Sequence, residues 1–343
     1  MTILIVGGGK MGMSHLALAT QYVGKSNVAL CDTKFSTRTL FRFLGYQTFK
    51  TMDEAFRVSR LDGVVIATPT PSHAMLARWA IERKVPLFIE KPLTLDAETS
   101  EDIVAMADLA GVSAQVGFVL RYVASFQRLR SLVAAGSLGR LRHYDASMRG
   151  NVISKALSSK SWQGDFARGG GCLNEYGPHI IDLCQFIFGP VVNILKAKMV
   201  RKYSSNADDS VDIDWEHQDS TLGSIKVDWS DSTKRKSVIE FKVMFDYADV
   251  RVDNSAIEIR WHDDAPLDLG ARNSLSAPVQ PRNVGFYLRG EEFSLELEDF
   301  LSACFGKSFR TEKSIPDNIS PHLKDGYEVD SIIDKIARKA CLK

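Results

Sequence analysis

The 343-residue sequence is short of several things at once, and each shortage removes a class of explanation. Its five cysteines, Cys31, Cys172, Cys184, Cys304 and Cys341, form no CxxC pair and are odd in number, which argues against a disulfide framework and a zinc knuckle. They read as buried thiols of a reducing, cytoplasmic compartment. Neither charge is in excess, with 43 Lys+Arg against 42 Asp+Glu, so nothing points to nucleic acid or a membrane surface as partner. No segment approaches the roughly 18 apolar residues of a membrane span; the best candidate, residues 180–188, contains Asp182 and Gln185. The apolar run "ILIV" follows only Met1 and Thr2 and leads into glycines, so it reads as a strand and not as a signal peptide. There is no internal repeat and no low-complexity tract.

What remains is the composition of an ordinary globular protein, 45% hydrophobic and 25% charged. The length exceeds what one hydrophobic core usually sustains, so two domains are expected. From residue 1 to about 120, short β-branched runs ("ILIV", "VALC", "GVVIA", "PLFIE", "SAQVGF") alternate with helical patterns. That rhythm predicts a parallel sheet covered by helices, an α/β domain. Thr51 to Glu54 reads as a capping box, and Gly45 and Gly111 stand where helices end. From 121 to 343 the pattern changes. A helix near 125–135, a strand near 141–148, a polar loop and a second helix precede "SIKVDW", "SVIEFKVMF" and "DVRVDNSAIEIRW", whose closeness predicts an open, mainly antiparallel sheet. Residues 263–283 read as a long loop, and helices near 291–304 and 326–339 close the chain.

Gly7, Gly9 and Gly12 make a GxGxxG pattern directly after a strand and at the start of a helix, the context in which that pattern binds a dinucleotide. The loop through Lys10 and Met11 would offer main-chain amides and the helix dipole to a pyrophosphate. Asp32, 20 residues past Gly12 at the tip of the second strand, is placed to bind the ribose hydroxyls, which favours NAD, with NADP left open by Lys34 and Arg38. Thr68, Pro69 and His73 follow the fourth strand, where ligand crevices form, although His73 alone reads more simply as a helix-start residue. Glu90 and Lys91 end the fifth strand. Lys91 therefore emerges at the edge that carries the glycine loop, in reach of cofactor and substrate.

The segment "GGGCLNEYGPHIID" spaces Glu175, His179 and Asp182 by four and three, one face of a helix. Alone, His179 fits a core position as well as an acid/base role. The three residues match no established metal motif, so no metal is expected. Asp182 is assigned to hydrogen bonding within the second domain, and "LCQFIFG" to its core.

In order and spacing, the glycine loop, "TPTPSH", "EKP", "GFVLRY" with Arg121, "GSLGRL" and "GGGCLNEYGPH" resemble the Gfo/Idh/MocA family of dinucleotide-dependent oxidoreductases. The resemblance implies a Rossmann domain over 1–120 and a substrate-binding and oligomerisation α/β domain over 121–343. It also implies a homodimer or homotetramer formed through the C-terminal sheet, and chemistry at one carbinol carbon of a sugar, cyclitol or nucleotide sugar. By motif match Lys91 takes the place of the family lysine, His179 that of the acid/base histidine, and Glu175 a position where Asp is more usual. Arg121, Trp162, Arg168 and Asn174 complete the expected substrate contacts with Glu175 and His179. The residues are compatible with this chemistry, since hydride transfer from CHOH needs a proton acceptor and a positive group beside the developing alkoxide. Two other functions share these features. One is a lyase or glycosidase that oxidises its substrate only transiently; the other is a non-catalytic dinucleotide-binding sensor.

Overall fold

The computed structural model describes residues 2–154, 162–280, 284–306 and 318–341. The chain divides into two compact units, one of residues 1–122 with 282–330 and one of residues 123–281 with 331–343.

In the first unit the strands are β1 (Ile3–Val6), β2 (Val28–Cys31), β3 (Gln47–Phe49), β4 (Gly63–Ile66), β5 (Leu87–Ile89) and β6 (Ala114–Val116). They form one sheet in the order β3-β2-β1-β4-β5-β6, and every pairing is parallel. Its central strands are unbroken apolar runs, fully buried along β1, β2, β4 and β5, because helices cover both faces of such a sheet. Those helices are α1 (Lys10–Val23), α2 (Phe35–Phe43), α3 (Met52–Val58), α4 (His73–Glu82) and α5 (Ala97–Ala110). The expected capping box starts α3. Thr51 accepts from the Glu54 amide at 3.2 Å, and the Glu54 carboxylate reaches back to the Lys50 amide at 2.7 Å, one residue before the cap.

In the second unit, α6 (Ala124–Ala135), β7 (Leu141–Arg149), α7 (Cys172–Glu175) and α8 (Gly177–Phe188) precede six strands. These are β8 (Val191–Val200), β9 (Ser210–His217), β10 (Leu222–Asp228), β11 (Val238–Phe245), β12 (Ala248–Asp253) and β13 (Ile257–Trp261). The sheet order is β13-β12-β11-β7-β10-β9-β8; β7 and β10 pair parallel and the other neighbours antiparallel. Burial alternates along β9, β11 and β12, so one face is core and the other polar. Phe126 of α6 meets Phe241, and Phe188 of α8 stacks on Tyr144 at 3.9 Å.

Several sequence expectations are revised here. The strands β8 and β9 were not anticipated. Residues 263–283 include a short helix, α9 (Leu269–Leu275), capped by Asp268. The last two helices, α10 (Glu291–Phe305) and α11 (Leu323–Cys341), do not simply extend a domain spanning 121–343. Leu297, Phe300 and Leu301 of α10 pack with Ile3, Val65 and Phe88 in the first unit's core, and the division between the units falls within α11.

A buried polar chain closes the second unit's core. Trp215 Nε1 donates to the Tyr144 hydroxyl at 2.7 Å, and that hydroxyl lies 2.6 Å from His217 Nε2. His217 Nδ1 lies 2.8 Å from the Gly189 carbonyl. A carbonyl only accepts, so Nδ1 carries the proton and Nε2 accepts from Tyr144. Burial holds the His217 pKa below its ordinary value, outweighing the Gly189 hydrogen bond. Folded His217 thus resists a proton that the unfolded chain takes up below about pH 6.5. Its stabilising effect is complete above that pH and is lost as pH falls toward the lower folded value. The urea midpoint should decline between pH 7.5 and 5.5, and His217→Gln should flatten that decline. An unchanged slope would remove His217 as its cause.

Candidate active site

The candidate residues form two groups, one on each unit. In the first unit the carboxyl ends of β1, β2, β4 and β5 present Gly7, Asp32, Thr68 and Glu90 at one sheet edge, because parallel strands point their ends the same way. The loop Gly7 to Gly12 leads into α1, whose N-cap is Gly9. A Cβ on Gly12 would lie 1.7 Å from the Gly7 carbonyl oxygen, so the turn itself demands glycine there. Gly9 differs, since a Cβ on it would meet nothing within 4 Å. Its bareness serves the approach of another molecule to the amides of Lys10, Met11 and Gly12, which suits a pyrophosphate at a helix N-terminus.

Asp32 accepts the Gly8 amide on one carboxylate oxygen and the Lys34 amide on the other, each at 2.7 Å. Further lone pairs on both oxygens can still accept from ribose hydroxyls. The Arg38 guanidinium donates to the carbonyls of Asp32 and Thr33 at 2.7 and 2.8 Å, and so braces this turn from within the chain.

Thr68 and Pro69 lead into α4. His73 is 1% exposed, with Nδ1 2.9 Å from the Pro92 carbonyl and Nε2 2.9 Å from the Thr68 carbonyl. Each ring nitrogen thus faces a main-chain carbonyl, and His73 ties the start of α4 to the chain around it. Burial holds its pKa below the ordinary value despite both carbonyls. Glu90 meets His15 Nε2 at 2.8 Å. Burial raises its pKa, but the His15 hydrogen bond and the nearby positive groups outweigh burial, so the carboxyl sits below its ordinary value. Lys91 is half-buried. Arg121, expected to touch substrate, is buried and paired with Asp325 at 2.9 Å.

In the second unit the helical segment is interrupted. Pro178 has no N–H for the carbonyl one turn back, so α7 ends at Glu175 and α8 starts at Gly177. Tyr176 between them keeps a helical backbone (φ −96°, ψ −34°), and Glu175 and His179, both half-buried, stand about one turn apart. Asn174 donates to the Gly170 carbonyl at 2.8 Å and so holds the glycine turn. Asp182 is buried. Trp162 is 44% exposed and Arg168 is exposed. In the polar loop that precedes the three glycines, Arg149 lies 3.8 Å from Asp231, while Lys155 and Lys160 fall outside the described residues.

Sequence reasoning missed Asp208, which organises this segment. Its carbonyl accepts the Cys172 amide at 2.9 Å and its Oδ2 the Leu173 amide at 2.7 Å. Its Oδ1 presses against Gly171, whose φ is +98° and whose Cβ would come within 2.5 Å of that oxygen. Only the adjoining "GGG" hinted at so close an approach. Among the described residues, no group of three or more His, Cys, Asp or Glu is placed to hold a metal ion.

Comparison with known proteins gives two family matches. The "Oxidoreductase family, NAD-binding Rossmann fold" model matches residues 1–118, and the "GFO/IDH/MocA C-terminal domain" model matches residues 126–248. The rhizopine catabolism protein MocA of Rhizobium meliloti is 28% identical over 185 residues, 54% of this chain and 56% of that one. Inositol 2-dehydrogenase 1 of Mycolicibacterium vanbaalenii is 31% identical over 141 residues, 40% of this chain and 41% of that one. The matches therefore span about half the length of these relatives. Among solved structures, levoglucosan dehydrogenase in complex with NADH superposes with a TM-score of 0.81 at 18% identity, over 100% of this chain and 97% of that one, which shows the shared fold.

Burial raises the Asp208 pKa to about 6, more than the Leu173 amide lowers it. Between its ordinary value and about 6, folded Asp208 keeps a proton that the unfolded chain has released, so its stabilising effect is lost as pH rises through about 6. Relative to the parent, Asp208→Asn should gain about 1 kcal/mol of stability on going from pH 5 to 7.5. Paired urea titrations at the two pH values read this directly, and a pH-independent difference would count against it.

Proposed function

The chain belongs to the Gfo/Idh/MocA family, and we propose that it is an NAD-preferring oxidoreductase. It transfers a hydride between nicotinamide and a carbinol or keto carbon of a sugar, cyclitol or nucleotide-linked sugar. The observation that carries this reading is the shared sheet edge of the glycine loop, Asp32 and Lys91. Relatives named inositol 2-dehydrogenase support the cyclitol class.

When bound, nicotinamide takes up the hydride from carbon. The residues of this chain handle the rest. Amides at the start of α1 hold the pyrophosphate and Asp32 the ribose hydroxyls. His179 removes the hydroxyl proton as the carbon loses hydride, so that CHOH becomes C=O with one hydride and one proton accounted for. The Lys91 ammonium stabilises the developing alkoxide. Glu175, one turn before His179, orients or charge-stabilises the ring, and exposed Trp162 and Arg168 border the substrate, where a guanidinium favours acidic or nucleotide sugars.

The polar face of the second unit's sheet is the reading's oligomer surface. It carries cross-strand pairs, Lys226 with Asp212 at 3.4 Å and Arg251 with Glu240 at 3.3 Å, around a shallow groove of about 370 Å³. Alternating charge of this kind suits a second copy of the same face. Free thiols at Cys31, Cys172, Cys184 and Cys304 accord with a cytoplasmic setting. Among the described residues no helix is long and apolar enough to cross a membrane.

Nicotinamide absorbance should change with NAD in preference to NADP against a panel of polyols, sugar acids and nucleotide sugars; silence across the panel would overturn the reading. With the active substrate, Lys91→Ala and His179→Ala should each lower turnover by about 10²-fold, and Glu175→Gln should move the pH profile. Near-normal turnover of His179→Ala would reject its role as proton acceptor. Sedimentation should show a dimer or tetramer that dissociates as salt is raised, and a salt-independent monomer would exclude the sheet-face interface.

A further inference from the structure

Lys91 has no regular secondary structure of its own to hold it, since β5 ends at Ile89, and a long flexible side chain on a loose turn makes an imprecise charge. Both of its chain neighbours are nevertheless anchored from elsewhere in the first unit. On one side the Glu90 carboxylate meets His15 Nε2 at 2.8 Å, and His15 lies on α1 with no exposed surface. On the other side the Pro92 carbonyl meets His73 Nδ1 at 2.9 Å, and His73, 1% exposed, opens α4.

In each contact the partner oxygen accepts. A carboxylate only accepts, so His15 Nε2 is the donor, while its Nδ1 is buried with no hydrogen-bond partner. Phe88 packs edge-on against that ring with centroids 5.0 Å apart, fixing its plane. His73 faces a carbonyl at each nitrogen. A neutral ring donates to one of them, and a donor at Nδ1 is the one that holds Pro92.

We propose that His15 and His73 are positioning residues for Lys91, fixing the main chain on both sides of it, Glu90 through its side chain and Pro92 through its carbonyl. The proposal rests on Lys91 being the cationic group of the reaction, and extends that reading to two buried histidines that touch neither reacting atoms nor dinucleotide. The same contacts tie the glycine-loop helix α1, through His15, and the Thr68 turn, through His73, to the lysine turn. Three of the loops at the sheet edge are thereby held in one register.

Asparagine and glutamine separate the two nitrogens of a histidine, since the amide of Asn falls near the place of Nδ1 and that of Gln near the place of Nε2. His15→Gln and His73→Asn retain the donor toward the Lys91 turn, whereas His15→Asn and His73→Gln remove it. The readout is the ¹³C resonance of Lys91 after reductive methylation of the full chain, assigned by its loss in Lys91→Arg, with circular dichroism and thermal melting as controls for folding. In His15→Asn and His73→Gln the Lys91 signal should broaden or shift, with the two donor-retaining variants close to the parent. An unmoved signal in all four variants, or equal movement in all four, overturns the proposal. Should a donor-removing variant fail to fold, Glu90→Gln, which keeps an acceptor for His15 but loses the charge, must leave the Lys91 line width at its parental value for the anchor to stand. The measurement needs no turnover. An enzyme silent toward every substrate would sink the hydride-transfer reading while the lysine resonance still judges the two anchors.

Discussion

The burial of β1, β2, β4 and β5 on both faces is the constraint on which the rest of the first unit depends. Strands without a polar face cannot border solvent, so each crossover must lay a helix over the sheet and return the chain in parallel. Every strand then ends at the same edge, and the loops that follow β1, β2, β4 and β5 share it without any contact between them being specified in advance. Chemistry-bearing residues from positions 7, 32, 68 and 91 are gathered by topology alone. The glycine loop adds one demand of its own, the close approach of Gly12 to the Gly7 carbonyl.

Burial also sorts the histidines. His15, His73 and His217 are almost wholly enclosed, each with a ring nitrogen against a carboxylate or carbonyl. His73 and His217 are poor proton carriers at neutral pH, because burial disfavours their charged form. They serve instead as directional donors that join segments far apart in sequence. His179 is only half-buried, on a segment whose start is held by Asp208. The difference between these histidines is thus one of environment and not of residue type.

The first unit was legible in sequence because its signals are local. A strand, three spaced glycines and an acid 20 residues later specify a turn whose geometry follows from neighbouring residues. The interrupted α7–α8 segment was less legible; its spacing read as one helix, although Pro178 marks the break. The strand β9 has the alternation of a half-buried strand in "SVDIDWEH", yet it was overlooked beside β8, whose pairing shifts register at two places and so blurs the period of two. That α10 belongs with the first unit could not be read at all, because its apolar face would suit either core, and only Leu297, Phe300 and Leu301 meeting β1, β4 and β5 decides it.

The same distinction separates the candidate residues of the two units. On the dinucleotide side, the ties run between motif residues that can be named from sequence, such as Asp32 with Gly8. In the second unit the segment carrying Glu175 and His179 is set by Asp208, 35 residues from the Leu173 amide it accepts, on a loop between β8 and β9 with no motif. Nearby, the Asn206 carbonyl accepts the Phe166 amide and the Asn206 amide donates to Gly164, so the stretch that carries Trp162 and Arg168 is braced by the same loop. Changes in the loop 201–209 can therefore re-aim the segment that carries Glu175 and His179 while the ties of the first unit's glycine loop stay in place. The ties of the first unit are encoded locally, whereas those of the second unit's segment are encoded in distant pairings, and this is why the family can be read from the residues of the glycine loop.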